Sequence, residues 1–332
     1  TMTQSQAVGR GRQLFGRVSE YSWAGLLAIL AVMIVIMALA SDSFLSEFNV
    51  FVVMRAVSTA VLIGAAQMSV LAIAQMNLSV GAIGGLAAIT AGGIMDSYGL
   101  PVWIAIIGGL ACGAACGALN GIIVSRTGLN AFIVTIATAS VFLGLNLGLT
   151  SAQPYYDLDP GFTSFGQARA SFFPLMGFIT LSTLVALAVF YYRTLAGRQI
   201  LAIGGNLAAA KTAGIPVERR VVWAHVLSGL LAGAAGMLWA AQLSAAQPMI
   251  GQSWLLLSFA VPIIGGVSLF GGSVRIIGLL LAALIIAIID NSLVHLGIDP
   301  IYVELLLGLF ILGAVYASHV ASRTGQQKRS LR

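Results

Sequence analysis

The sequence predicts an all-α polytopic membrane protein of about ten transmembrane helices, some short or broken near the centre, with both termini cytoplasmic. Three observations predict it. Hydrophobic residues make up 59% of the 332 and charged residues 8%, with a mean hydropathy of +1.00, which no water-soluble domain sustains. The apolar residues come in continuous runs long enough to cross a hydrocarbon core of about 30 Å as helices, without the alternation of a membrane barrel. The basic residues, finally, fall almost entirely in alternate connections between those runs.

Residues 1–20 are polar, carry Arg10, Arg12 and Arg17, and read as a cytoplasmic tail. A single membrane domain follows over 21–322, and 323–332 form a second cytoplasmic tail. Spans are expected near 22–40, 57–75, 78–95, 102–124, 131–150, 173–192, 221–243, 254–267, 274–294 and 301–322. The first apolar run has no small-residue cleavage site and should anchor the chain. The eighth is too short to cross unless its ends are buried in protein.

Counting charge tests the orientation. With the N-terminus inside, the cytoplasmic side receives 14 of the 16 basic residues and the outer side only Arg55 and Arg169. Six acids (Asp42, Glu47, Asp96, Asp157, Asp159 and Asp299) fall outside, against Glu20 and Glu218 within. The formal charge of +6 is thus topological and no sign of a nucleic-acid partner, since aromatics do not interleave with it on a soluble face. The outer connection 151–171 is polar and aromatic, and reads as a solvated loop or as a surface for a soluble partner.

Cys112 and Cys116 stand four apart with no histidine or carboxylate near them, so packing is favoured over a metal or a disulfide. Gly109, Gly113, Gly117 and Gly121 form the small-residue stripe that brings membrane helices close together. No nucleotide-binding loop, nucleophile elbow or metal-ligand cluster is present, which argues against catalysis by this chain. His225, His295 and His319 are scattered near span ends, where interfacial packing is the usual role.

Two stretches carry more information. Gln75-Met76-Asn77-Leu78-Ser79 puts a polar break between two apolar runs, and such a break either lines a translocation path or caps helices. Gln75, Asn77, Ser79 and the adjacent Gly81 are its candidate path residues; the uncharged donors and acceptors suit hydroxyl-rich neutral solutes. A second break at 268–272 echoes it, and an odd number of spans between the two would make the copies inverted. Asp290 and Glu304 lie deepest in apolar runs, poised for structural pairing or for solute contact. The other informative stretch is the cytoplasmic connection 193–220. There Asn206 can cap a short helix over 207–213, Gly214 can close it in the left-handed region, and Pro216 ends it.

Gly204-Gly205-Asn206-Leu207-Ala208-Ala209-Ala210-Lys211-Thr212-Ala213-Gly214-Ile215 resembles the cytoplasmic coupling loop of ribose-type permeases of ATP-binding cassette (ABC) importers, with its G-N-x-x-A-A-x-x-x-G-I pattern. LSVGAIGGLAA at 78–88 and GGVSLFGGSVRIIG at 265–278 match the same family in the same order. The resemblance implies a bacterial inner-membrane permease that forms the path for a monosaccharide or related polyhydroxylated solute. It implies docking on cytoplasmic ATPase subunits through Gly204, Gly205, Asn206, Ala209, Ala210, Lys211, Gly214 and Ile215. It implies a second permease copy and a periplasmic or lipid-anchored binding protein, and no cofactor on this chain, ATP and Mg being used by the ATPase. The chain departs from the family's G-G-x-D-L-S-V-G run, with Ala74-Gln75 at the glycines and Asn77 at the aspartate. The readings left beside it are an ion-coupled secondary transporter and a branched-chain amino acid ABC permease.

Overall fold

The computed structural model describes residues 22–299 together with 302, 305, 308, 309, 312 and 313. The polar tails, His319, Glu304 and most of the expected tenth span lie outside the described residues. The described chain is helical apart from one two-stranded hairpin: α1 (Ser22–Ala40), α2 (Glu47–Leu71), α3 (Val80–Asp96), α4 (Val102–Thr127), α5 (Ala131–Thr150), α6 (Pro160–Gln167), β1 (Arg169–Ala170), β2 (Phe173–Pro174), α7 (Leu175–Arg193), α8 (Leu195–Gly205), α9 (Leu207–Thr212), α10 (Val217–Leu243), α11 (Trp254–Ile264) and α12 (Ile276–His295). In the antiparallel hairpin Arg169 pairs with Pro174 and Ala170 with Phe173.

Seven of these helices (α1, α2, α4, α5, α7, α10 and α12) are long and apolar enough to cross a membrane; α3 and α11 are shorter apolar helices. The central pair is α2 and α10, in each of which 67% of the most apolar window is buried, against 11% in α1, which lies at the periphery. α4 packs on α10 through the predicted glycine stripe. Gly113 lies against the Gly229 carbonyl and Gly117 against that of His225, so a Cβ at either position would meet backbone. On the same helix Cys116 is buried and Cys112 half-buried.

Two helices begin or end away from the sequence expectation. α2 starts at Glu47, ten residues before the predicted span, because Ser46 caps it by accepting from the Asn49 N–H at 3.3 Å. Arg55 therefore sits inside a helix instead of a loop, where its guanidinium donates to Gln167 Oε1 at 2.9 Å. α2 also stops at Leu71, ahead of Gln75, and Ala74 takes a left-handed φ of 58°. α8 was not foreseen at all: Thr194 caps it through the Gly197 N–H at 3.1 Å.

The two ends of the bundle differ. At one end the 151–171 connection folds into α6 and the first strand of the hairpin; Ser171 donates to Glu47, the Asp157 N–H donates to Asp96, and Tyr155 bridges Ala246. At the opposite end lie α8 and α9, the α4–α5 turn beside Arg126, and the cleft lined by Lys211 and Arg219.

Candidate functional site

α9 is built as the sequence reading expects, one residue shorter. Asn206 Oδ1 accepts from the Ala209 N–H at 3.0 Å. The helix closes in a Schellman motif: the Ile215 N–H reaches the Ala210 carbonyl at 3.1 Å, and the Gly214 N–H reaches that of Lys211 at 3.0 Å. Gly214 supplies the φ of 73° that this closure needs. Ala210 is buried, whereas Leu207, Ala209, Lys211 and Gly214 are exposed, so α9 presents an outward face.

Gly204 wedges the end of α8 between two other segments. A side chain there would strike the Ala72 carbonyl and the Gly272 N–H, which are themselves hydrogen-bonded at 3.1 Å. The 204–215 and 265–278 motifs and the turn after α2 thus meet at one point, where the second polar break touches the turn that leads into the first. Beside this junction opens a cleft of about 870 Å³ lined by Gln75, Gly204, Gly205, Asn206, Lys211 and Ile215, with Ser125 and Glu218 on its other wall.

The five-residue break is held by three helices. Gln75 Oε1 lies 2.9 Å from His225 Nε2 of α10. Asn77 donates from Nδ2 to Ser228 Oγ at 3.0 Å, and its Oδ1 accepts from the Ser79 N–H at 2.9 Å and the Ser79 hydroxyl at 2.6 Å. Asn120 of α4 donates to Ser79 Oγ at 2.8 Å, and the Leu78 N–H donates to Thr135 of α5 at 3.0 Å. Asn77, Ser79, Asn120, His225 and Ser228 are each 0% exposed. Only Gln75 among the three polar break residues faces a cavity, as the half-buried floor of the cleft.

Gly81 belongs elsewhere. Its backbone packs on that of Gly251, and it lines a second cavity of about 420 Å³ between α3, α5 and the connection 244–253. Ser140 and Gln252 give this cavity its polar side chains.

Four partners of the break went unread in the sequence: Asn120, Thr135, His225 and Ser228. An amide in the apolar run of α4 was the available signal for Asn120. His225 sits in the core, not at an interface, whereas His295 does lie at a helix end against the hydroxyls of Ser41 and Ser43, at 3.1 and 3.3 Å. Asp290 leaves Oδ1 without a hydrogen-bond partner among the described residues, while its neighbour Asn291 exchanges two amide bonds with Asn49 at 2.8 and 3.0 Å.

A family model described as the permease component of a branched-chain amino acid transport system matches residues 43–315, which takes in the break, the cleft and α9. The chain is 34% identical to the D-allose transport system permease protein of Escherichia coli, over 90% of this chain and 92% of that one. The chain belongs to the ribose-type permeases of ABC importers. It is also 36% identical to the ribose import permease protein of Bacillus subtilis, over 86% of this permease and 89% of that one, and 34% identical to the fructose import permease protein of Rhizobium meliloti, over 82% and 78%. Membership of this family and the apolar helices make it a multi-pass protein of the bacterial inner membrane.

Proposed function

We propose that this permease carries a monosaccharide across the inner membrane by alternating access, driven by separate ATPase subunits. The observation that carries the reading is α9: a short helix capped at both ends, with an exposed face, set at the basic end of the bundle and following Gly204, which is wedged against the turn after α2. That end is cytoplasmic by the charge rule, which puts both termini inside and the hairpin end outside, available to a soluble binding protein. ATPase subunits dock on α9 through Gly205, Asn206, Ala209 and Lys211; ATP and Mg belong to them and not to this chain.

Solute passes between two copies of the permease. The cavity at Gly81, Ser140 and Gln252 lies beside α5, whose exposed Ser140, Gly144 and Gly148 leave room for a neighbouring helix to approach. Asn77 and Ser79 tie the start of α3 to α10 and α4, and Gly81 forms the wall.

The names of the relatives support a sugar, while the family description names branched-chain amino acids, and one experiment separates the two. Permease, ATPase and binding protein are reconstituted in vesicles, and uptake of fructose, ribose, D-allose and leucine is measured with and without ATP. ATP-dependent uptake of one of the sugars, abolished by the double variant Gly205→Pro, Ala209→Glu while assembly persists, is the expected result. Uptake of leucine alone, or uptake without ATP, contradicts it.

A further inference from the structure

We propose that Gln75 and His225 form a positioning pair that sets how much solute is moved per ATP hydrolysed; the proposal rests on the permease reading above. Only residues 213–216 separate α9 from α10, and the Arg220 N–H already bonds the Pro216 carbonyl at 3.1 Å, so a displacement of α9 is handed directly to the start of α10. His225 and Ser228 lie on one face of α10, three residues apart and therefore one above the other. Both hold the break, His225 through Gln75 at 2.9 Å and Ser228 through Asn77 at 3.0 Å.

The break has no helical hydrogen-bond ladder of its own to resist bending. Its position is set by the side chains that hold it, these two on α10 together with Asn120 of α4 and Thr135 of α5. The coupling segment also touches the turn that leads into the break, through the Gly204 backbone at Ala72. Motion at α9 thus reaches the break twice, once by backbone contact and once through the side chains of α10.

The two side-chain links are not equivalent. Asn77–Ser228 belongs to the buried network with Ser79 and Asn120, so breaking it disturbs the packing of α3, α4 and α10. Gln75–His225 stands at the edge of that network, with Gln75 opening onto the large cleft. Gln75 Oε1 can only accept, so His225 donates from Nε2. His225 is itself held in place, since its backbone carbonyl lies against Gly117 of α4. The sequence carries glutamine where the family pattern has glycine, and glycine cannot make this bond.

Uptake of ribose, D-allose and fructose and ATP hydrolysis would be measured in the same vesicles, for wild type, Gln75→Gly, His225→Leu, both together, His225→Gln, and the exchanged pair Gln75→His with His225→Gln. Removing either partner should lower solute moved per ATP by about fivefold or more while hydrolysis continues. The double removal should be no worse than either single one. His225→Gln, which keeps a donor opposite Gln75, and the exchanged pair should both recover most of the ratio. A purely structural role would lower the amount of assembled permease and leave the ratio unchanged. An unchanged ratio in Gln75→Gly and His225→Leu, or additive losses in the double variant, overturns the pair. Wild-type vesicles with no ATP-dependent uptake overturn the permease reading itself and this proposal with it.

Discussion

Asn77 shows how a residue that looks like a solute ligand serves as a joint. Its Oδ1 accepts two bonds from Ser79 and its Nδ2 donates one to Ser228, all at 0% exposure. Truncation to an apolar side chain takes the acceptor from the Ser79 N–H and from the Ser79 hydroxyl proton, and the donor from the Ser228 hydroxyl, at about 1–3 kcal/mol for each group left unpaired. A carboxylate, in contrast, accepts from Ser79 as before and from the Ser228 hydroxyl once that rotates, which accounts for how asparagine here can replace the family's aspartate. Asn77→Leu should therefore lower the midpoint of thermal unfolding in detergent clearly more than Asn77→Asp does. Equal losses would contradict this role as a joint. The polar character of the break was legible in the sequence, but its partners were not. Asn77 and Ser228 are 151 positions apart, and nothing in a one-dimensional pattern pairs them.

At the scale of elements, the closest association is α4 on α10, and it depends on the absence of side chains. Gly229 approaches the Gly113 carbonyl so nearly that any Cβ would overlap it. Gly229→Leu should force the two helices apart and destabilise the permease by about 1–3 kcal/mol or more, read as loss of monodisperse protein on heating, whereas leucine at Gly25 of the peripheral α1, where no atom lies within 4 Å, should not. The four-residue spacing of the stripe on α4 was plain in the sequence because helix periodicity turns spacing into a face. Helix starts were harder to read. Arg55 made the first turns of α2 look like loop, since a charge in an apolar run is costly without its partner, and that partner, Gln167, comes from α6. α8 escaped because three glycines and an arginine mask a helix whose main local signal is the Thr194 cap.

For the whole molecule, the segregation of charge, the two breaks and the capped α9 combine into one mechanical arrangement. A surface helix at the basic end is wedged against the turn after α2 by Gly204, and it continues into the central helix α10, which holds the break through His225 and Ser228. The short helix α3 meets the connection ahead of α11 where Gly81 packs on Gly251, beside the smaller cavity. The polytopic, all-helical membrane character and the family were legible in the sequence because hydropathy acts locally and the three motifs are short. The junction of those motifs needed the fold, since it depends on backbone contacts among segments far apart in the chain. The most direct test of the account is a photocrosslinking residue at Ala208 on the exposed side of α9, compared with one at Tyr156 at the opposite end, in the assembled transporter. Crosslinks from position 208 to the ATPase and from position 156 to the binding protein are expected; capture of the binding protein at 208, or of the ATPase at 156, would contradict both the orientation and the coupling role of α9.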